Sequence, residues 1–294
     1  MLLEPQPDHR PSGRDGPTPG DASDRKGFSS RGRAAGMVAP TVLVVTIAAT
    51  AAVALTLSAG YSHWTVPAVG PWAVAGGTLH VASRAGIYDA VEAPASGVLL
   101  VATPAVFAAV TWIVAGAFAA RRDLPYRERY LAAAGGGLAI VTLVALLVHL
   151  DVPPVGLLWV VAVPLVTAMV ATMGFLAVGF LVSGVIIDLR AAGLYTVGTV
   201  VFEGFASAAA DTWLDAPAEG LLVEAIRTGY AVAGVDDTWW AVVAGQLVVG
   251  LAVVFVCGRL ARVRTDAGQA AVLVVSVITL WSGTAVLVAA AATG

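Results

Sequence analysis

The chain has 294 residues, of which 59% are hydrophobic and only 12% charged, with a mean hydropathy of +0.87 and a net charge of −3. A soluble chain carries roughly 25% charge, so an ordinary soluble enzyme is excluded; no basic cluster offers a footprint for nucleic acid. The single cysteine, Cys257, excludes an intrachain disulfide, a thiolate zinc site and a CxxC redox pair.

Residues 1–36 are rich in Pro, Gly, Asp, Ser and Arg and nearly devoid of apolar side chains. Such a composition cannot offset the entropy of ordering, so a disordered cytoplasmic tail is expected there. Met37 offers an alternative start. The apolar run 38–59 is too long for a signal-peptide core and reads as a first retained span. Further stretches long enough to cross a bilayer as helix lie near 97–119, 130–150, 158–187, 193–213, 240–258 and 270–292. Pro164 lies in the first turns of the fourth, and a polar break at Asp188 and Arg190 separates the fourth from the fifth. The expected fold is therefore all-α, a polytopic transmembrane bundle of about seven spans over 37–294, with external segments 60–96 and 214–238. Within the latter, Leu221 to Ile226 reads as a piece of interfacial helix.

Basic residues orient the chain. Seven alternating spans put Arg31, Arg33, Arg121, Arg122, Arg127, Arg129, Arg190, Arg259, Arg262 and Arg264 on one side and only Arg84 and Arg227 on the other. By the positive-inside rule the amino terminus is cytoplasmic and the carboxyl terminus external, in a multi-pass protein of the cell membrane. Trp64, Trp72, Trp159, Trp213, Trp239 and Trp240 then all fall at the external boundary, the headgroup layer that amphipathic rings prefer.

Seven spans suggest a retinal protein, but the only lysine is Lys26, in the tail, so no span supplies a Schiff-base amine. Polar chemistry concentrates instead in the fifth span. Thr196, Thr199, Glu203, Ser207 and Asp211 recur at intervals of three or four, which places them on one helical face. A charged residue at a helix centre costs roughly 2.5 to 3.5 kcal/mol on insertion scales, and no span carries a central Lys or Arg, so Glu203 is expected to be neutral. It serves either as a protonatable or solute-contacting group in a polar cavity or as hydrogen-bonding glue between helices. Gln246 in the sixth span and Ser276 and Thr279 in the seventh are the candidate partners; Gly250, Cys257, Gln269 and Gly283 share their faces. The glycines 135–137 read as a close helix approach, since no flanking strand or Lys makes a phosphate loop of them.

His149 with Asp151, and His63 and His80 with Asp89 and Glu92, form no spaced ligand set, so neither a metal nor another cofactor is expected. Ser183 lacks the surroundings of an intramembrane serine protease, and Glu203 lacks the adjacent acid of prenyl endopeptidases. The acidic residues after the fifth span, Asp211, Asp215, Glu219, Glu224, Asp236 and Asp237, read as a solvated surface.

Three segments, in order, resemble motifs of a known family. Gly86, Tyr88, Asp89 and Glu92, with Ile87 as an extra residue, are similar to a Gly-Tyr-Asn-x-x-Asn-Thr element leading into an early span. Gly204, Ala209 and Thr212 fit a Gly-His-x-x-Asp-Ala-x-x-Thr element, in which Phe205 and Ala208 replace the histidine and aspartate. Ser282, Gly283, Thr284 and Ala285 resemble a Pro-Gly-Thr-Arg element that has lost its proline and arginine. The family is the archaeal multi-spanning membrane proteins numbered sixty-three among the domains of unknown function, and the resemblance covers about residues 60–292. It implies a helical polytopic fold and no known activity, and the replaced residues carry no family site across. The expected function is thus a structural or accessory membrane role with the lipid bilayer as partner. The alternatives are a proton-coupled or small-solute transporter using the face of Glu203 and an intramembrane enzyme with a second acid or base beside it.

Overall fold

The computed structural model of the protein describes residues 62–87, 96–122, 127–181, 183–217, 220–234 and 238–293. By its contacts the chain divides into two units, residues 1–43 and 44–294, and every described residue belongs to the second. The expected tail 1–36 and first span 38–59 lie outside the described residues.

The described residues form eight helices and no strand: α1 (Thr65–Arg84), α2 (Ser96–Arg122), α3 (Arg127–His149), α4 (Pro154–Leu181), α5 (Ser183–Trp213), α6 (Leu221–Ala233), α7 (Trp239–Val263) and α8 (Thr265–Thr293). The all-helical class agrees with the expectation. Four helices among the described residues are long and apolar enough to cross a membrane: α3, α4 over Pro154–Phe180, α7 and α8. Large apolar side chains face outward, and a set of polar ones lies buried within an otherwise apolar core. Ile140 and Val148 of α3, Leu165 and Phe180 of α4, and Val248 and Val256 of α7 are exposed, while Thr78, Thr196, Glu203, Ser207, Gln246 and Ser276 are buried. In water such a surface would drive association; against hydrocarbon it is the preferred one, and the helices satisfy their backbone groups internally.

One expectation is corrected by the bundle itself. Residues 65–84, expected within an external segment, form a 20-residue helix packed among α2, α3 and α8. The Ser62 hydroxyl donates to Glu128 Oε1 at 2.8 Å, Trp72 Nε1 donates to the Leu131 carbonyl at 3.0 Å, and the Thr78 and Thr142 hydroxyls meet at 3.0 Å. These contacts advance together along both chains, so α1 runs parallel to α3 through its length. Farther along, Val81 and Ala82 pack with Leu146 of α3 and Val288 of α8. Protein covers α1 on several sides, so its Gly, Thr and His carry no cost against lipid; hydropathy undervalues such a helix. Two tryptophans move with it. Trp72 is buried inside the bundle and Trp64 lies beside Ser62, at the end where α3 begins. Trp159, Trp213 and Trp239 do cluster at the opposite end, Trp159 stacked on Trp213 at 4.5 Å and Trp213 tilted against Trp239 at 5.5 Å.

Helix direction alternates. Thr196 of α5 meets Ser276 of α8 and Glu203 meets Ser282, so those two helices run parallel, whereas Gly204 lies against Gln246 and Gly250 against Val197, so α7 runs antiparallel to α5. Arg127 and Arg129 at the start of α3, Arg190 in α5, Arg259 and Arg262 near the end of α7 and Arg264 just after it therefore share the end of the bundle where α1 begins; Arg84 and Arg227 lie toward the other. The polar break is where the spacing placed it, but as a local kink. Arg190 leaves helical geometry at φ 45° and ψ −123° inside α5, and α4 ends earlier than expected, at Leu181.

Only one of the three adjacent glycines explains itself by contact. A Cβ on Gly135 would come within 2.5 Å of Trp72 Nε1, while Gly136 and Gly137 have nothing within 4 Å. Gly135→Ala should therefore lower thermal stability by about 1 to 3 kcal/mol by overpacking the α1–α3 contact. Gly136→Ala should raise it by up to about 1 kcal/mol, the helix-propensity difference. Melting of the two purified variants in detergent checks both signs.

Candidate functional site

Glu203 sits in the middle of α5, fully buried. Its Oε1 accepts the Ser282 hydroxyl of α8 at 2.9 Å. It also faces the first turn of α6, whose Leu222 amide donates to the same oxygen at a long 3.4 Å. Around it the backbones close in. A Cβ on Gly220 would lie 2.9 Å from Ser207 Oγ and 3.2 Å from Glu203 Oε1, and one on Gly283 would lie 3.0 Å from Glu203 Cα.

The surprise in this arrangement is the depth of α6. Glu203 precedes the end of α5 at Trp213 by ten residues, about 15 Å of helix, yet the start of α6 lies beside it. The chain therefore leaves α5, folds back into the bundle and returns outward as α6. Asp215, at φ 49°, makes the turn, a conformation that Asp tolerates better than most residues. The Leu214 amide then bonds the Ala209 carbonyl at 3.1 Å and the Ala216 amide that of Ala210 at 2.9 Å, so two carbonyls near the end of α5 are satisfied by the chain that follows. Leu214, Ala216 and Gly220 are buried. On its way out α6 passes Asp211, whose Oδ2 takes Arg227 Nη2 at 2.8 Å, and the Tyr230 hydroxyl donates to the Ala241 carbonyl of α7 at 2.8 Å. Val223, Ile226 and Tyr230, spaced three and four apart, form its inward face, with Ile226 and Tyr230 lying over Gly245.

Gly220, the residue before α6, has no side chain with which to cap it. The unsatisfied amides of a helix's first turn carry a partial positive charge, and Glu203 supplies the acceptor from another helix. Glu203 thus does for α6 what an Asp or Ser immediately before a helix does in the ordinary case.

The expected polar face is present but does not converge on one place. Thr196 bonds the Ala192 carbonyl at 2.8 Å and meets the Ser276 hydroxyl at 2.9 Å. Thr199 turns back to the Thr196 carbonyl at 3.0 Å, Ser207 is buried beside Gly220, and Asp211 reaches the exposed ion pair. Of the three expected partners, Ser276 meets Thr196 of α5. Thr279 bonds carbonyls of its own helix, at Val275 and Ser276, and Gln246 packs its stem on Gly204. The partner of Glu203 is Ser282, two steps of three beyond Ser276, where the expected row steps from Thr279 to Gly283 instead. Two histidines lie against aromatic rings, His63 with Trp64 at 5.3 Å and His80 with Trp281 at 5.0 Å, and no three metal-ligating side chains converge among the described residues.

No family model, no curated protein and no solved structure matches the chain. Any functional conclusion therefore rests on the geometry around Glu203.

Proposed function

We propose that this is a multi-pass protein of the cell membrane with a structural or accessory role, in which α1 to α5, α7 and α8 cross the bilayer. In this reading Glu203 fastens the re-entrant helix α6 rather than carrying protons. The observation that supports it is the enclosure of Glu203. Its Oε1 is shared by the Ser282 hydroxyl and the α6 amide, and Gly220 and Gly283 close on the site so tightly that a methyl group would not fit. Glu203→Gln keeps an acceptor oxygen there. Wild-type protein and this variant, reconstituted with an internal pH dye and an imposed pH gradient, should both leak protons no faster than protein-free vesicles. Flux in the wild type that Glu203→Gln abolishes would overturn the fastening role.

Such flux would support the second reading, proton-coupled or small-solute transport. Two observations favour it. Both polar atoms of the Gln246 side chain and the Ser207 hydroxyl are buried with no hydrogen-bond partner, which in a native interior asks for an explanation. A half-helix ending at mid-bundle is also a device transporters use to meet anionic groups.

The arginine-rich end of the bundle is cytoplasmic in this proposal, which puts Ser62 inside and Thr293 outside. In a Cys257→Ala background, single cysteines at Ser62 and Arg262 should be shielded from an impermeant thiol reagent in intact cells, while those at Ile87 and Pro217 should label. Labelling at Ser62 would return α1 to the outside. Kinship with the archaeal domain-of-unknown-function family is likewise a proposal, supported by Gly204 and Gly283, two positions of its motifs, lying where α5 meets α7 and α8.

A further inference from the structure

We infer that the pocket between α1, α8 and the chain that follows α5 binds a small organic anion, a carboxylate carried on a short apolar body such as one aromatic ring. Glu203 stands behind Ser282 and does not line the pocket, so binding there is independent of its role. The pocket measures about 330 Å³, at the lower end of the range of about 300 to 1,000 Å³ typical of small-ligand sites. Small side chains make the space. Trp281, Ala285, Ala289 and Thr293 follow one another at intervals of four along one face of α8, and the two alanines leave a trough between the indole and the end of the helix. Ala216 and Pro217 of the fold-back line the pocket as well, as do His80 and Arg84, one turn apart on α1. Arg84, Ala289 and Thr293 are exposed and Ser282 is buried, so the mouth lies where α1 and α8 end and the floor lies at Ser282. In the proposed placement that mouth faces outward.

Three features define the ligand. First, the titratable side chains in the lining are Arg84 and His80, with no Asp or Glu beside them, so the pocket favours an anion and disfavours a cation. Arg84 also interacts within the chain, but a guanidinium has five N–H donors and meets a carboxylate with two of them. His80, half-buried, adds a ring N–H in either protonation state. Second, the remainder of the lining is mostly apolar. A bare inorganic anion would leave that surface wet, whereas an attached apolar body covers it, and Trp281 gives the body an indole to pack on. Third, the floor is closed. The Ser282 hydroxyl is buried and donates to Glu203 Oε1 at 2.9 Å, so the pocket stops there and takes a short body rather than a full acyl chain.

The test is photolabelling of the full chain, in an uncharged maltoside detergent, with a benzoate that carries an aryl diazirine, adducts being mapped by mass spectrometry. Adducts should concentrate on residues 80–87, 214–217 and 281–293 and fall several-fold with excess plain benzoate. Benzyl alcohol, the ring without the charge, and inorganic phosphate, the charge without the ring, should both compete poorly. Equal competition by the alcohol would overturn the anion assignment, and equal competition by phosphate would overturn the apolar body. Displacement by phosphatidylglycerol but not by phosphatidylcholine would give the pocket to a lipid head group and overturn the free solute. Arg84→Gln, at an exposed helix end, should lower labelling by about tenfold or more, the loss of a charge-assisted hydrogen bond. Should that variant melt early, Ala289→Phe, also at an exposed position, fills the trough and should remove the adducts. Labelling that survives both substitutions, or that excess benzoate does not reduce, would overturn the site.

Discussion

Glu203→Leu should destabilise the protein by about 1 to 3 kcal/mol while Glu203→Gln leaves it within about 0.5 kcal/mol of wild type. Leucine has about the volume of glutamic acid but no acceptor, so the Ser282 hydroxyl and the Leu222 amide, now bonded to Oε1, both lose their partner in a buried place. Each donor left unsatisfied costs about 1 to 3 kcal/mol in a protein interior. Measured interhelical hydrogen bonds in membranes are worth less, about 0.6 kcal/mol on average and up to about 1.7, because side chains released in lipid find other partners. That lower scale governs the Ser282 bond. The amide of Leu222 cannot move to another partner without α6 leaving its place, so the sum falls in the stated range. Loss of the fastening should also open residues 214–238 to external protease faster in the leucine variant than in the glutamine one. Equal stability of the two variants would show that the acceptor at 203 contributes nothing.

Gly283→Leu should be the more damaging change. A Cβ at 283 would stand 2.8 Å from Phe202 Cδ1 and 3.0 Å from Glu203 Cα. The first contact is a ring that can turn; the second is backbone, and only separation of α5 from α8 relieves it. Overpacking of this kind costs about 1 to 3 kcal/mol even where side chains can yield, and here it also draws Ser282 away from Glu203. The expected outcome is a loss of about 3 kcal/mol or more in the unfolding free energy, or failure to recover folded protein. Gly137→Leu, at a position with nothing within 4 Å, is the matched control and should unfold like wild type.

Charge and period together made much of this molecule legible. Arginine asymmetry located the two ends of the bundle, because a guanidinium is excluded from hydrocarbon wherever the helix that carries it packs. The break at Arg190 and the burial of Thr196, Glu203 and Ser207 followed from polar residues interrupting or lining apolar helix. What escaped was structure whose surroundings are protein rather than lipid. The α1 helix, with Gly70, Gly76, Gly77, Thr78 and His80, looks like a loop segment when every span is required to be apolar, yet it is covered by α2, α3 and α8. The fold-back that begins at residues 214–217 has no periodicity to betray it, and Pro217 and Gly220 read as an ordinary external turn. With the fold-back went the explanation of Glu203, since the amide it holds belongs to a segment expected outside the membrane.

Hydrogen exchange of the Leu222 amide tests the fastening of α6 most directly. In wild type and in Glu203→Gln, peptides covering residues 220–226 should exchange slowly, as backbone enclosed between α5 and α7, and in Glu203→Leu the same peptides should exchange at least tenfold faster while those of α8 stay protected. Rapid exchange of Leu222 in the wild type, or protection unchanged by the leucine substitution, would contradict the fastening role.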